Sequence, residues 1–256
     1  MPAVITDTLR RQIARDFFEQ FQNNTANYYV AIGKSEPWDS SENVPTPVNN
    51  PETIADFRDV MQSIKRVKST SLVVPRNNWS SGTIYSQYDD RAQGYPAQPY
   101  YVKNDNSQVY VCVEAGRNWL GVAVPSVVEP TGSNNDSFRL SDGYVWKFLY
   151  TISAQKQEQF QSSNFMPVQK QLTVDSNSTG IELKQKEVQD SAKSGQVLSV
   201  IITDPGTGFV QPPTITFSGN GNGAKAIADI DSATGTLSRI RICLLYTSPS
   251  PRDSIA

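Results

Sequence analysis

Residues 27–38 read NYYVAIGKSEPW, and the chain is organised around them. Tyr28, Tyr29, Val30, Ala31 and Ile32 give this stretch the aromatic and β-branched composition of a buried strand. The strand stops at Gly33. Lys34 and Glu36 follow with opposite charges, and Pro37 then turns the chain off the sheet before Trp38, because it cannot donate to a ladder and fixes its own φ. A buried strand thus delivers a stiff loop tipped by a large aromatic. Such a loop docks on a second layer of the same protein or on a partner.

Working outward, Thr6 or Asp7 can cap a helix over residues 8–23. Leu9, Ile13, Phe17 and Phe21 recur every four residues, Phe18 widens the stripe, and Arg10, Arg11, Arg15 and Glu19 lie off it. The pattern predicts a core helix packed on the strand that follows. Beyond a polar, proline-punctuated loop over residues 39–50, Pro51 opens a second helix where its missing N–H costs nothing. Ile54, Phe57, Met61, Ile64 and Val67 or Lys68 mark its expected buried face. Glu52, Asp56 and Asp59 come early and Lys65, Arg66 and Lys68 late, an order that complements the helix dipole and explains the basic triplet without a phosphate ligand.

Residues 71–74 read as a short strand leading into Pro75-Arg76-Asn77-Asn78-Trp79, followed by a polar, turn-rich stretch to Ala97. Residues 100–113 have the form of a hairpin, with Cys112 as a small buried hydrophobe. Trp119 and residues 122–128 suggest another extended piece. Residues 144–152 form a strong strand entered through the Asp142-Gly143 turn, and a short helix over 154–161 follows. After about Lys170 glycine and threonine rise. Residues 195–202 (GQVLSVII) and 235–242 (GTLSRIRI) place glycine first and aliphatics at equivalent positions, 40 residues apart, an internal repeat suited to a small β unit. Residues 243–253, CLLYTSPSPRD, resemble the in-frame translation of a transposon-end sequencing adapter. Residues 243–256 are therefore set aside, and the natural chain is expected to continue past Ile242 into a second full copy of the unit.

The 256 residues suffice for a real core, and a formal net charge of −2 argues against a nucleic-acid-binding protein. No apolar run approaches the ~20 residues that span a bilayer, so no membrane insertion is expected. The N-terminus lacks a signal peptide's basic-then-apolar order, so synthesis in a cytoplasm is expected. The chain has no histidine and two cysteines, which removes the usual general base, the commonest nucleophile pairs and the commonest zinc ligands. No catalytic, metal or cofactor-binding residue is assigned. Gly33-Lys34-Ser35 matches the end of a P-loop only superficially, since Tyr28 stands where the first glycine belongs and Glu36-Pro37-Trp38 opposes the helix that should follow. Asp89, Asp90, Glu114, Asp136 and Asp142 could in principle support glycoside hydrolysis. Trp38, Trp79, Tyr85, Tyr88, Tyr95 and Trp119 fall in or beside loops, where aromatics anchor interfaces, stack on sugars or close the ends of a β-rich core.

Three stretches in order, residues 27–38, VVPRNNW at 73–79 and SDGYVWKFLY at 141–150, resemble the dimeric baseplate wedge subunit of T-even-like contractile-tail phages. The resemblance covers roughly residues 28–167. It implies a structural virion protein of the tail baseplate that is no enzyme, forms a homodimer, docks other wedge proteins and is assembled in the host cytoplasm. In that family the first domain is built from both ends of the chain with the β domain inserted. The expected fold is α+β: an N-terminal helix and sheet layer (1–75), an antiparallel β-rich region (76–170) and a glycine-rich β repeat module (171–242). Lys34, Glu36, Pro37, Trp38, Arg76 and Trp79 are the expected assembly contacts. A carbohydrate-binding or adhesin-like virion module is the alternative, and a carboxylate hydrolase the third reading.

Overall fold

The computed structural model describes residues 7–22, 27–33, 48–89, 97–118, 122–170, 173–192, 196–218 and 223–244. The chain divides into two units, Met1–Leu72 and Val73–Ala256. Helices and antiparallel sheets occur together in an α+β arrangement.

The first unit holds α1 (Asp7–Gln22), β1 (Tyr29–Gly33), α2 (Pro51–Asp59) and β2 (Met61–Arg66). Gln12 to Asp16 and Arg15 to Glu19 contacts support α1 on its polar side at the four-residue spacing of helix neighbours. Asn50 caps α2 by accepting from the Thr53 N–H at 2.7 Å, with Pro51 at the first helical position. β1 and β2 pair antiparallel, Tyr29 opposite Arg66 and Ala31 opposite Ile64. Four expectations are corrected here. The second helix ends at Asp59 instead of running through Val67, because Met61 to Arg66 finds a ladder partner in β1. The three-residue spacing of Met61, Ile64 and Val67 imitates a helix face, and pairing overrides it. Lys65, Arg66 and Lys68 therefore sit on or just after a strand, and Arg58 is the basic residue in the helix's last turn. The strand at 29–33 is exposed and not buried, with Ile32 64% accessible, since its ribbon has two strands and α1 meets it through the rings of Phe17 and Phe21 on Tyr28. Nor is α1 a core helix: Leu9, Ile13 and Phe17 of its apolar stripe are exposed.

The second unit contains β3 (Val73–Pro75), β4 (Tyr101–Lys103), β5 (Gln108–Glu114), β6 (Phe138–Arg139), β7 (Val145–Thr151), α3 (Ala154–Phe160), β8 (Phe165–Pro167), α4 (Gly180–Ser191), β9 (Lys225–Asp231) and β10 (Thr236–Leu244). Its centre is an antiparallel sheet of order β4-β5-β7-β6, with β3–β8 and β9–β10 as separate pairs. The predicted hairpin is β4–β5. Asn104 shapes its turn, the carboxamide donating to Pro130 O and accepting from Gln108 N, while Ser107 takes a left-handed φ of 60°.

Tyr144, Trp146, Phe148, Tyr150 and Ile152 alternate without a break in sequence, yet they feed two cores. Tyr110 pairs with Phe148 and Val109 with Tyr150, so Leu149 is an extra residue that bulges β7 and flips the face of everything after it. Before the bulge, Tyr144, Trp146 and Phe148 pack with Tyr85, Val102, Tyr110, Cys112 and Val188 of α4. After it, Tyr150 and Ile152 pack with Tyr101, Val109 and Met166 of β8. Gly116 is required beside the first core, because a Cβ there would stand 2.7 Å from the Tyr144 ring.

α4 was not anticipated within the glycine-rich stretch. Thr179 and Glu182 form a capping box at its start, and Val188 and Gln185 are its buried residues. Of the two repeat copies, residues 235–242 fall in the β9–β10 hairpin, whereas residues 196–202 belong to no strand. β10 runs to Leu244, and residues 245–256 of the segment set aside lie outside the described residues.

Burial raises the titration points of Tyr110, Tyr144, Tyr150 and Cys112, with Glu129, Tyr101 and Glu114 adding to it at Tyr110, Tyr150 and Cys112. A group raised in the folded state favours folding fully at neutral pH. That contribution drains as pH climbs past the unfolded values, about 8.5 for a thiol and 10 for a phenol. The melting temperature should hold to about pH 8 and fall steeply by about pH 10.5, readable by circular dichroism. A melting temperature that stays level through pH 10.5 would show these groups to be uncoupled from folding.

Candidate interaction surface

Of the six expected contact residues, Lys34, Glu36, Pro37 and Trp38 lie outside the described residues, as do Tyr95 and Trp119 among the loop aromatics. Arg76 and Trp79 are described. They leave β3 on the same turn of chain, which runs beside β4 through a parallel bridge between Asn78 and Lys103. Lys103 N donates to Asn77 O at 2.7 Å, and Trp79 N donates to Lys103 O at 2.9 Å.

The Arg76 guanidinium donates to Asn78 Oδ1 at 3.0 Å and to Ser162 O at 3.1 Å, and Arg76 N donates to Asn164 O. It thus ties the β3 exit to the loop before β8. Buried Lys103 lies near this cation; its ammonium titrates below the ordinary lysine value, first through burial and then through Arg76. Trp79 is half-buried against the first core, its indole N–H donating to Ser126 Oγ at 3.2 Å. Both side chains therefore carry internal bonds. Trp79→Ala should lower stability by about 2 kcal/mol, since a half-buried indole and one hydrogen bond are lost. Chemical denaturation would measure it, and a change below about 0.5 kcal/mol would place the indole outside the fold's support.

The other loop aromatics divide. Tyr85 is fully buried, its ring edge-on to Trp146 at 5.5 Å and its hydroxyl bonded to Ser80. Tyr88 is exposed and tilts against Tyr100. Two of the carboxylates considered for hydrolysis are engaged in structure. Asp142 Oδ2 accepts from Ser126 Oγ, Val127 N and Val128 N. Glu114 pairs with Arg139 of β6 and stands 3.5 Å from Arg239 Nε of β10, an ion contact too long to be a good hydrogen bond. Burial holds the Arg239 guanidinium below its ordinary value, with Arg139 as the next cause. Among the described residues no cluster of three or more acidic, cysteine or histidine groups could hold a metal ion. A cleft of about 310 Å³ opens beside the start of α4, lined by Asn106, Gln108, Ser133, Thr151, Ile181 and Lys184, with no aromatic platform.

The sequence reading missed the largest feature. Among its described residues, the first unit buries none. Ile13 at 56%, Ile32 at 64% and Ile64 at 57% accessibility stand with exposed Leu9, Phe17, Tyr29, Val30, Ile54, Phe57 and Val60. A contiguous protein surface seldom leaves so many large apolar side chains in water without a partner. A ribbon with an apolar strand needs a layer on each face, and the described residues of the unit leave the strand exposed.

No family model matches the chain. Among curated proteins it is similar to the baseplate wedge protein gp8 of Enterobacteria phage T4, 24% identical over 197 residues, covering 59% of this chain and 55% of that protein. The chain spans about half the length of the curated relative it matches. The likeness points to a baseplate-related structural protein of a phage.

Proposed function

We propose that the chain is a structural subunit of a phage tail baseplate wedge that associates with a second copy of itself, docks other wedge proteins and performs no turnover. The similarity to a baseplate wedge protein carries this reading. The exposed apolar surface of the first unit supports it, because assembly subunits expose in isolation what their partners cover. Lys34, Glu36, Pro37 and Trp38 are proposed as one contact, with Arg76 and Trp79 bracing the fold beside the β3 exit. The glycan-binding alternative loses ground. Tyr85 serves the core and Trp79 is bonded inward, which removes two of the rings that would have formed a stacking platform.

The reading places the protein in the virion, at the tail baseplate. Antibodies against the chain should decorate the baseplate end of purified virions in electron micrographs. Label on the capsid or on fibre tips, or a virion that lacks the chain, would sink the proposal. Release of reducing ends from host surface polysaccharide, abolished by one Asp or Glu substitution, would replace it with the hydrolase reading.

A further inference from the structure

We infer that α4 is a strap on the central sheet that lifts off as a unit while β5 and β7 stay paired, widening the cleft at its first turn and opening the first core at Val188.

The seat of α4 is narrow. Of its 12 residues only Gln185 and Val188 are buried, and Val188 is the one that joins the first core. Ile181 lies one turn before Gln185 on the same side of the helix, yet it is 45% accessible. With Gly180 and Lys184 it lines the cleft of about 310 Å³, whose other lining residues include Gln108 of β5 and Thr151 of β7. A helix lying flat on the sheet would fill that space with Ile181. α4 therefore stands off the sheet over its first turn and is seated from Gln185 to Val188.

The polar part of the seat is fastened on one side only. Gln185 Nε2 donates at 3.1 Å to the carbonyl of Leu149, the extra residue that bulges β7. Gln185 Oε1 is buried and meets no donor among the described residues. A buried acceptor without a donor is destabilising, and that cost vanishes once water reaches it. Lifting α4 hydrates this oxygen and the Leu149 carbonyl together, so water replaces one bond and relieves one orphan. The bond from Asn135 Nδ2 to Glu187 is exposed, and water can replace it too. Val188 is left as the apolar anchor.

Several of the other side-chain bonds of α4 run within the helix. They are the reciprocal cap of Thr179 and Glu182 and the pairs Lys184–Glu187 and Lys186–Asp190. β5 and β7 are held differently, by a ladder along most of their length and by Tyr110, Cys112, Trp146 and Phe148 inside the core. Local opening draws on elements with few buried apolar contacts, a description that fits α4 and excludes both strands. Once off the sheet, a helix this short is marginal in water, so lifting exposes its amides to exchange.

Native-state hydrogen exchange of the full chain tests this. Amides of residues 183–191 are expected to be roughly a hundredfold or more less protected than those of β5 and β7. Low urea should reduce protection in the strands and leave α4 unchanged, because a local opening exposes little surface. Gln185→Ala removes the bond to Leu149 and should lower α4 protection about tenfold further, with β5 and β7 unaltered. The urea dependence is read on the wild type, so it decides the matter even if Gln185→Ala fails to fold. Exchange in α4 at the strand rate, with the strand dependence on urea, would overturn the strap and make α4 a fixed layer of the core. Unchanged α4 protection in a folded Gln185→Ala would also overturn it, since the Leu149 contact would then not be the fastening.

Discussion

Replacing Trp146 by alanine is expected to cost about 3–5 kcal/mol, the range for truncating a fully buried aromatic, and thus a large share of a typical domain's 5–15 kcal/mol. Trp146 lies in β7 with no accessible surface, stacked on Tyr144 at 5.7 Å and met edge-on by Tyr85. Its Cα partners are Cys112 of β5 and Phe138 of β6, so the indole joins three strands of the central sheet. Alanine would open a cavity that two rings could fill only by leaving their own partners. Trp146→Phe is expected to cost far less, below about 2 kcal/mol, for a particular reason. The indole N–H is buried and meets no acceptor among the described residues, so phenylalanine would relieve an unpaired donor while keeping most of the packing. Urea denaturation of both variants measures the contrast. Equal losses for Phe and Ala would mean that the indole N–H is satisfied in solution and that a phenyl ring recovers none of the packing.

How much of this was legible in the sequence depends on where the stabilising partner lies. The β4–β5 hairpin, β7 and α3 were readable because their signals are local: alternation, a turn, a cap. The face switch at Leu149 was not, since a bulge leaves the alternation of residues 144–152 intact and shows only in the pairing of Val109 with Tyr150. At residues 61–66 the reading failed because Met61, Ile64 and Val67 fit a helix face, and only the ladder to β1 decides between the two states. α4 was legible and unread. Thr179 and Glu182 spell a capping box, but the composition around them, rich in glycine and threonine, favours strands and turns. Hydrophobicity predicted burial for β1 and α1, and exposure is what the structure shows. Composition states that a strand needs covering and is silent on who covers it. Among the candidate contacts, Trp79 was expected as an assembly contact, and sequence could not reveal that its N–H turns inward to Ser126.

That inward bond belongs to a short relay, and breaking its end should be felt along its length. Asp142→Ala is expected to cost about 3 kcal/mol, because hydrogen bonds to a charged acceptor are worth roughly 1.5–3 kcal/mol each and water would replace some of them. Its carboxylate Oδ2 accepts from Ser126 Oγ at 2.9 Å, Val127 N at 2.9 Å and Val128 N at 3.1 Å, while Oδ1 accepts from Tyr144 N at 3.3 Å. One side chain in the turn before β7 thereby fastens the strand-like stretch 122–128 against the sheet. Tyr144 closes the same stretch from the other side by donating to Val124 O at 2.7 Å. Ser126 is buried and has two tasks, donating to Asp142 and accepting from Trp79 Nε1. Without the carboxylate the serine hydroxyl is free to turn, and the bond from Trp79 loses its fixed acceptor. Asp142→Asn keeps one acceptor oxygen without the charge and should cost about half as much. Denaturant midpoints give the energies, and the Trp79 indole N–H resonance in a ¹⁵N spectrum reports the relay. In Asp142→Ala that proton should shift and exchange faster with solvent. An unmoved Trp79 resonance, together with a stability loss under about 1 kcal/mol, would show that the three bonds to Oδ2 are local to the loop and do not hold the β3 exit in place.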